Sequence, residues 1–233
     1  MIVAILDRLP ARSARRWLHS AGHAVHMLLR AWRSRLPPNH RCVEGRSNTI
    51  ITAGAVLRNV RIDVRGDENV VEIKPNARIH DTVICLQGRG HRLTIESHVT
   101  VWSGRFQLED EGGTLLLGER TTIYDVDVGL TEGGRIRVGP DCLFASGIQL
   151  RNGDSHVILD EQTGRRLNPA CDVSIAEHVW LGERVLALKG SAIGPHCVVG
   201  AGSIVTGELP GHSVCAGNPA RPLRTGVTWR RER

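Results

Sequence analysis

The 233-residue chain is poor in aromatic side chains, at 3% of the total, and has two methionines. A helical bundle would draw on more leucine and aromatic filling, so that architecture is disfavoured. The six cysteines (Cys42, Cys85, Cys142, Cys171, Cys197 and Cys215) form no C-x-x-C pair. No disulfide framework is indicated, and a reducing cytoplasm is the simpler setting. No apolar run reaches transmembrane length; Met1–Leu6 is apolar but Asp7 and Arg8 end it, without a signal-peptide pattern. His91 and His98 have no third partner at metal-ligand spacing, so no metal is expected. An even spread of positive charge is also missing. The net charge of +6 arises from +6 in residues 1–40 and +4 in residues 221–233 around a middle of −4. Basic ends on a mildly acidic body do not suit a nucleic-acid binder; they suit phosphate or membrane-surface contacts at the termini.

What is abundant is glycine, 26 residues, set among small and β-branched side chains in a regular repeat. From Val173 to Thr206 an apolar or small residue recurs every six positions: Ile175, Leu181, Ala187, Ile193, Val199, Val205. A second column stands two residues earlier, from Val173 and Val179 to Cys197 and Ser203. A period of six fits neither a helix nor a plain alternating strand. It fits a chain that runs straight for a short strand, turns a corner and repeats. Three sides then close a coil of about 18 residues, stacked on the next at roughly 4.8 Å. Upstream the period is 22, with columns such as Ile51, Ile73, Ile95, Leu117 and Ile62, Ile84, Phe106, Val128. This reads as the same coil with about four extra residues at one corner. Val138, Phe144 and Leu150 continue the stack with a step of 21.

The pattern breaks after Leu150 and resumes at Ile175, which leaves a 19-residue insertion, 151–169. It is polar and holds Asp154, Ser155 and His156. A long insertion at one corner of a rigid solenoid is either a tolerated surface loop or the place where function sits.

Four stretches carry a family resemblance: HVWLG (178–182), AIGPHCVVGAGSIVT (192–206), ELPGHSV (208–214) and AGNPARPLR (216–224). Residues 172–224 resemble the C-terminal half of hexapeptide-repeat acetyltransferases that act on galactosides, maltose and xenobiotics. The upstream part is similar in style to members that modify bacterial surface polysaccharides. The resemblance implies an all-β fold, a left-handed parallel β-helix, assembled as a homotrimer that uses acetyl-CoA as acyl donor. Periodicity alone does not set the hand, and ordinary crossover rules favour the right-handed turn. The implied function is acetyl transfer to a hydroxyl of a bacterial surface glycan or its precursor.

Such a transfer needs a base to take the hydroxyl proton, and histidine suits that near neutral pH. His156 lies upstream of Trp180 at a spacing that resembles the family's catalytic histidine. Asp154 either orients it, holds a substrate hydroxyl, or is a turn residue. Where relatives often carry proline after the histidine, this chain has Val157. Gly182, Ala201, Gly202, Ser203 and Thr206 match family positions along the pantetheine arm, although tight coils need small residues anyway. Trp180 matches a residue near the thioester. Arg221 and Arg224 match arginines near the nucleotide phosphates, whereas Gly207 stands where relatives carry a cation. His178, His196 and His212 are read as solvated residues at or beyond coil corners, with His178, just before Trp180, the one that could instead line the site.

In residues 1–40, Trp17, Leu18, Ala21, Ala24, Val25, Leu28, Leu29 and Trp32 follow helical spacing, with Arg16, Arg30 and Arg33 off that stripe. This short basic amphipathic helix either attaches peripherally to the inner face of a membrane or caps the open first coil. The β-helix domain spans 41–224 and a basic tail follows, 225–233. Two rivals stand beside the O-acetyltransferase. One is an N-acetyltransferase acting on an amino-sugar nucleotide. The other is a non-catalytic β-helix scaffold; the related zinc carbonic-anhydrase version lacks its closely spaced histidine pair.

Overall fold

The computed structural model describes residues 39–232. The expected amphipathic helix, up to Pro38, lies outside them. Among the described residues every regular element is a β-strand. The strands stack as a three-sided parallel β-helix. Face 1 is a sheet of eight strands, from Thr49–Ile51 to Glu208–Leu209, one per coil. Faces 2 and 3 belong to one 15-stranded sheet, because Val56–Arg65 and Arg78–Arg89 turn the corner between them unbroken. Among the described strands all pairing is parallel except the closing hairpin, Ser213–Gly217 with Ala220–Thr225; the one antiparallel contact outside the strands is the Leu159–Arg166 bridge.

The register shows why the sequence repeats as it does. On face 1 the step is 22 residues from Val70 to Arg92 and from Arg92 to Thr114, then 21 from Thr114 to Arg135. It jumps to 37 from Ile136 to Val173 and settles at 18 from Ser174 to Ala192. The difference between 37 and 18 is the 19-residue insertion. Two sequence expectations shift. The first step on face 1 is 21, so Ile50, not Ile51, aligns with Val71; Ile51 points outward and is 46% exposed. Leu150 pairs with Val128 at a step of 22, while Phe144 keeps 21 from Ile123.

The inward columns make one continuous core of valine, isoleucine and leucine, with Phe106 and Phe144 its largest side chains. A coil's interior is too narrow for stacked large rings, which accounts for the scarcity of aromatics. The extra residues of the 22-residue coils lengthen the end of face 3 at its corner with face 1. Backbone polar groups there are met by a ladder of side chains. Asn69 Oδ1 accepts from the His91 amide at 2.9 Å, and His91 Nδ1 accepts from the Gly113 amide at 3.1 Å. His91 is therefore a buried structural residue. Gly88 beside it has a φ of +126°, and a Cβ there would meet the Asp110 carbonyl oxygen at 1.7 Å, so only glycine fits.

Candidate active site

The insertion leaves the fifth coil at the corner between faces 3 and 1, after Arg151, and rejoins face 1 at Val173. Its neck is closed by two asparagines. Asn152, fully buried, exchanges both hydrogen bonds with the Thr131 backbone at 2.8 Å, and its carbonyl accepts from the Cys171 amide. Asn168, 6% exposed, donates Nδ2 to Asp154 Oδ2 at 2.8 Å and to the His156 carbonyl at 2.7 Å. Its Oδ1 accepts from the Ile158 amide at 2.6 Å. Beyond the neck the chain folds back as a small antiparallel hairpin, bridged at Leu159 and Arg166. Arg166 lays its guanidinium fork on the Glu132 carboxylate of the fourth coil at 2.8 and 2.6 Å.

His156 thus has a fixed backbone and an exposed side chain. Asp154 does not spend its carboxylate on that ring. It takes Lys189 Nζ at 2.5 Å and Asn168 Nδ2, and these bonds, Lys189 first, hold its carboxyl below the usual range. Through Asn168 it fixes the backbone that carries His156. Val157, Ile158 and Leu159 beside the histidine are each 56% exposed, and Leu167 across the hairpin is 50% exposed.

The other residues singled out by sequence lie on later coils. Trp180 opens face 2 of the sixth coil and is 40% exposed. Gly182, two residues on, faces the next coil so closely that a Cβ would meet the Ala201 amide nitrogen at 2.7 Å. Ala201 and Gly202 are exposed in the turn between faces 2 and 3 of the seventh coil, and Thr206 is exposed at the end of its face 3. Ser203 is 1% exposed; its hydroxyl donates to the Gly200 carbonyl at 2.6 Å and accepts from the Gly217 amide at 3.1 Å, so it fastens that turn. Arg221 and Arg224 are exposed on the last strand, and neither pairs with a carboxylate among the described residues. Small exposed residues and guanidiniums without a carboxylate partner are the kinds of groups that suit a thin amide chain ending in phosphates. His156 belongs to the corner of faces 3 and 1, whereas Trp180 stands beside the corner of faces 1 and 2.

The sequence reading missed a clasp at that second corner. Asp141, His178, His196 and His212 stack there in successive coils, all in the left-handed region with φ between 50° and 57°. The tail beyond Thr225 crosses this column. Trp229, 8% exposed, stacks on His178 at 4.4 Å between ring centroids. Its indole Nε1 donates to the His178 carbonyl at 2.8 Å, and His178 Nε2 lies 2.9 Å from the Trp229 carbonyl. His178 Nδ1 lies 2.6 Å from Asp141 Oδ2, and Arg231 reaches the other carboxylate oxygen at 3.1 Å. Burial works against the Asp141 charge, but the hydrogen bonds from His178 and Arg231 outweigh it and hold its carboxyl below the usual range. His178 is therefore tucked under the tail, and Trp229 ends 6.0 Å from the Trp180 ring. The available signal was spacing: 18 from His178 to His196 and 16 to His212, the coil steps themselves.

No protein-family model matches the sequence. Among characterised proteins, the polysialic acid O-acetyltransferase of Neisseria meningitidis is 34% identical over 148 residues, 63% of this chain and 68% of that protein. The crystal structure of the polysialic acid O-acetyltransferase OatWY matches 84% of this chain and 93% of its own, at 30% identity and a TM-score of 0.79. That of the polySia-specific acetyltransferase NeuO matches 83% and 89%, at 27% identity and a TM-score of 0.78. At 83–84% of the chain, these matches take in the 22-residue coils as well as the hexapeptide half. The chain belongs to the family of the polysialic acid O-acetyltransferases, hexapeptide-repeat acetyltransferases built on a left-handed parallel β-helix.

Proposed function

We propose that the protein transfers an acetyl group from acetyl-CoA to a hydroxyl of an acidic bacterial surface glycan or its precursor, with His156 as general base. The observation that carries this reading is likeness over more than four-fifths of the chain to polysialic acid O-acetyltransferases.

The acceptor oxygen attacks the thioester carbonyl while its proton passes to the His156 imidazole. Collapse of the tetrahedral intermediate breaks the carbon–sulfur bond. The imidazolium returns the proton to the departing sulfur, and an acetyl ester and free coenzyme A result. Asp154 and Asn168 act through the backbone, holding His156 at the mouth of the insertion. Trp180, Gly182, Ala201, Gly202 and Thr206 line the donor's arm, Ser203 braces their turn, and Arg221 and Arg224 take its phosphates.

His156 and Trp180 stand at different corners of one chain, so the site is completed between copies, in a homotrimer. The apolar side chains exposed on the hairpin support this, since they would be covered by a neighbour. The expected outcome for His156→Ala is a folded trimer that binds acetyl-CoA but has lost about 10²–10⁴-fold in transfer rate. Turnover within a few fold of the unmodified enzyme would remove His156 from the base role.

A further inference from the structure

The C-terminal tail follows the corner of faces 1 and 2 back along the stack, anchored at one coil after another. On the eighth coil the Val227 amide donates to the His212 carbonyl at 3.0 Å, and on the seventh Thr228 Oγ1 lies 3.2 Å from His196 Nδ1. Trp229 seats on His178 of the sixth. Arg231 then reaches the Cys142 carbonyl on the fifth at 3.1 Å, and on the fourth the Arg120 carbonyl at 3.3 Å and Thr122 Oγ1 at 3.1 Å. This run of anchors holds one indole at one place, and that place is beside Trp180.

Trp180 stands two residues after His178, where the chain passes the corner onto face 2. Along the stack its column holds Leu143 one coil before and Val198 one coil after, both half-buried. On the corner side its neighbour is the Trp229 indole, with planes 50° apart and centroids 6.0 Å apart, a tilted contact within the range that aromatic pairs favour. Trp229 is 8% exposed, so it fills the corner, whereas Trp180 keeps an open side at 40% exposed. The seat under Trp229 is itself fixed. The His178 ring lies 14° from the indole plane, packs on His196 at 4.9 Å and is held at Nδ1 by Asp141. A tryptophan on a strand turns on two torsions, and a packed neighbour on one side removes the rotamers that would swing into it.

We propose that Trp229 is a positioning residue for the acyl donor: it fixes Trp180 as a rigid wall at the thioester end and so limits the transferred group to a short acyl chain. The proposal rests on the reading of Trp180 as part of the acetyl-CoA site. Leucine, valine and two indoles make an apolar corner that suits the methyl of an acetyl group. A wall discriminates by space. Each methylene added to the acyl group has to displace the ring, and one methylene in an apolar pocket is worth roughly 10- to 200-fold. Removing Trp229 leaves an indole-sized void beside Trp180, into which that ring swings or a longer acyl chain extends.

The test uses the full-length protein. Calorimetry reads binding of free coenzyme A and of its acetyl, propionyl and butyryl thioesters, transfer to sialic acid oligomers reads kcat and KM, and light scattering reads assembly. The unmodified protein is expected to bind butyryl-CoA at least about tenfold more weakly than acetyl-CoA. In Trp229→Ala that gap is expected to close to about threefold or less, with free coenzyme A bound as before and kcat for acetyl transfer lowered at little-changed KM. Trp229→Phe, which keeps a ring against Trp180 without the indole N–H, is expected to restore the gap. His178→Asn keeps a residue that tolerates the left-handed φ of 54° but removes the seat, and is expected to narrow the gap in the same direction. Equal affinity for the three thioesters in the unmodified protein overturns the proposal. So does an unchanged gap in assembled Trp229→Ala or, where that variant does not assemble, in His178→Asn. A Phe variant as permissive as the Ala variant also overturns it, since the effect would then follow the hydrogen bond and not the ring. Trp180→Ala separates this proposal from the reading beneath it. If it leaves acetyl-CoA binding and the gap unchanged, the assignment of Trp180 to the donor site fails. If it closes the gap while the Trp229 and His178 variants do not, only the role of Trp229 fails.

Discussion

Asn168 illustrates how one buried amide sets the backbone geometry of an exposed histidine, the one proposed as the base. Its three hydrogen bonds close the neck around His156, each contributing about 1 kcal/mol. Asn168→Ala frees the Ile158 amide and the His156 carbonyl together. It is expected to lower kcat about tenfold or more, because a misplaced base forfeits orientation. Acetyl-CoA affinity and the pH profile of the remaining activity are expected to stay as they were, and steady-state kinetics reads all three. In the sequence His156 stood out through a spacing from Trp180 that resembles the family's. Asn168 did not, because its partners lie 12 and 14 residues away and only the hairpin brings them together. The cysteines sort by burial as well. All six are free, and burial pushes the Cys142 and Cys197 thiols up to about 12, so neither is a candidate nucleophile.

Two elements hang on the coils by charge. The insertion is tethered by Glu132 to Arg166 and by Asp154 to Lys189. Hydrogen bonding from Arg166 and from Lys189 lowers both carboxyls. A lowered carboxyl contributes stability in full above its unfolded value, about 4. That contribution is lost as the pH falls through the lower, folded value. The hairpin is therefore expected to gain hydrogen-exchange or proteolytic lability below about pH 4 while the coils stay protected, and Arg166→Gln is expected to show the same lability at neutral pH. Equal lability at every pH would contradict the tether. The C-terminal clasp depends more on packing. Trp229→Ala removes a ring that is 8% exposed and stacked on His178, and is expected to cost about 3 kcal/mol in thermal or denaturant unfolding. In the sequence this segment read as a basic tail, since a lone tryptophan after the last hexapeptide belongs to no column.

On the scale of the whole molecule the fold was legible because a solenoid writes its geometry into its period. Columns at steps of 22, 21 and 18 became the registered strands of three faces. The slip of Ile51 comes from the first coil, whose face 1 strand has a shorter step and, among the described residues, pairs on one side. The proposed site was less legible, because the family motif marks residues along one chain whereas His156 and Trp180 stand at different corners of it. The proposed reaction is acetyl transfer to a glycan hydroxyl with His156 as base. It is tested most directly by incubating purified protein, unmodified and His156→Ala, with labelled acetyl-CoA and sialic acid oligomers and counting alkali-labile acetyl esters. Ester formation is expected from the unmodified enzyme, with a loss of about 10²-fold or more in the variant and acetyl-CoA still bound by both. A folded protein that binds acetyl-CoA but forms no ester, or a variant that works at full rate, would contradict it.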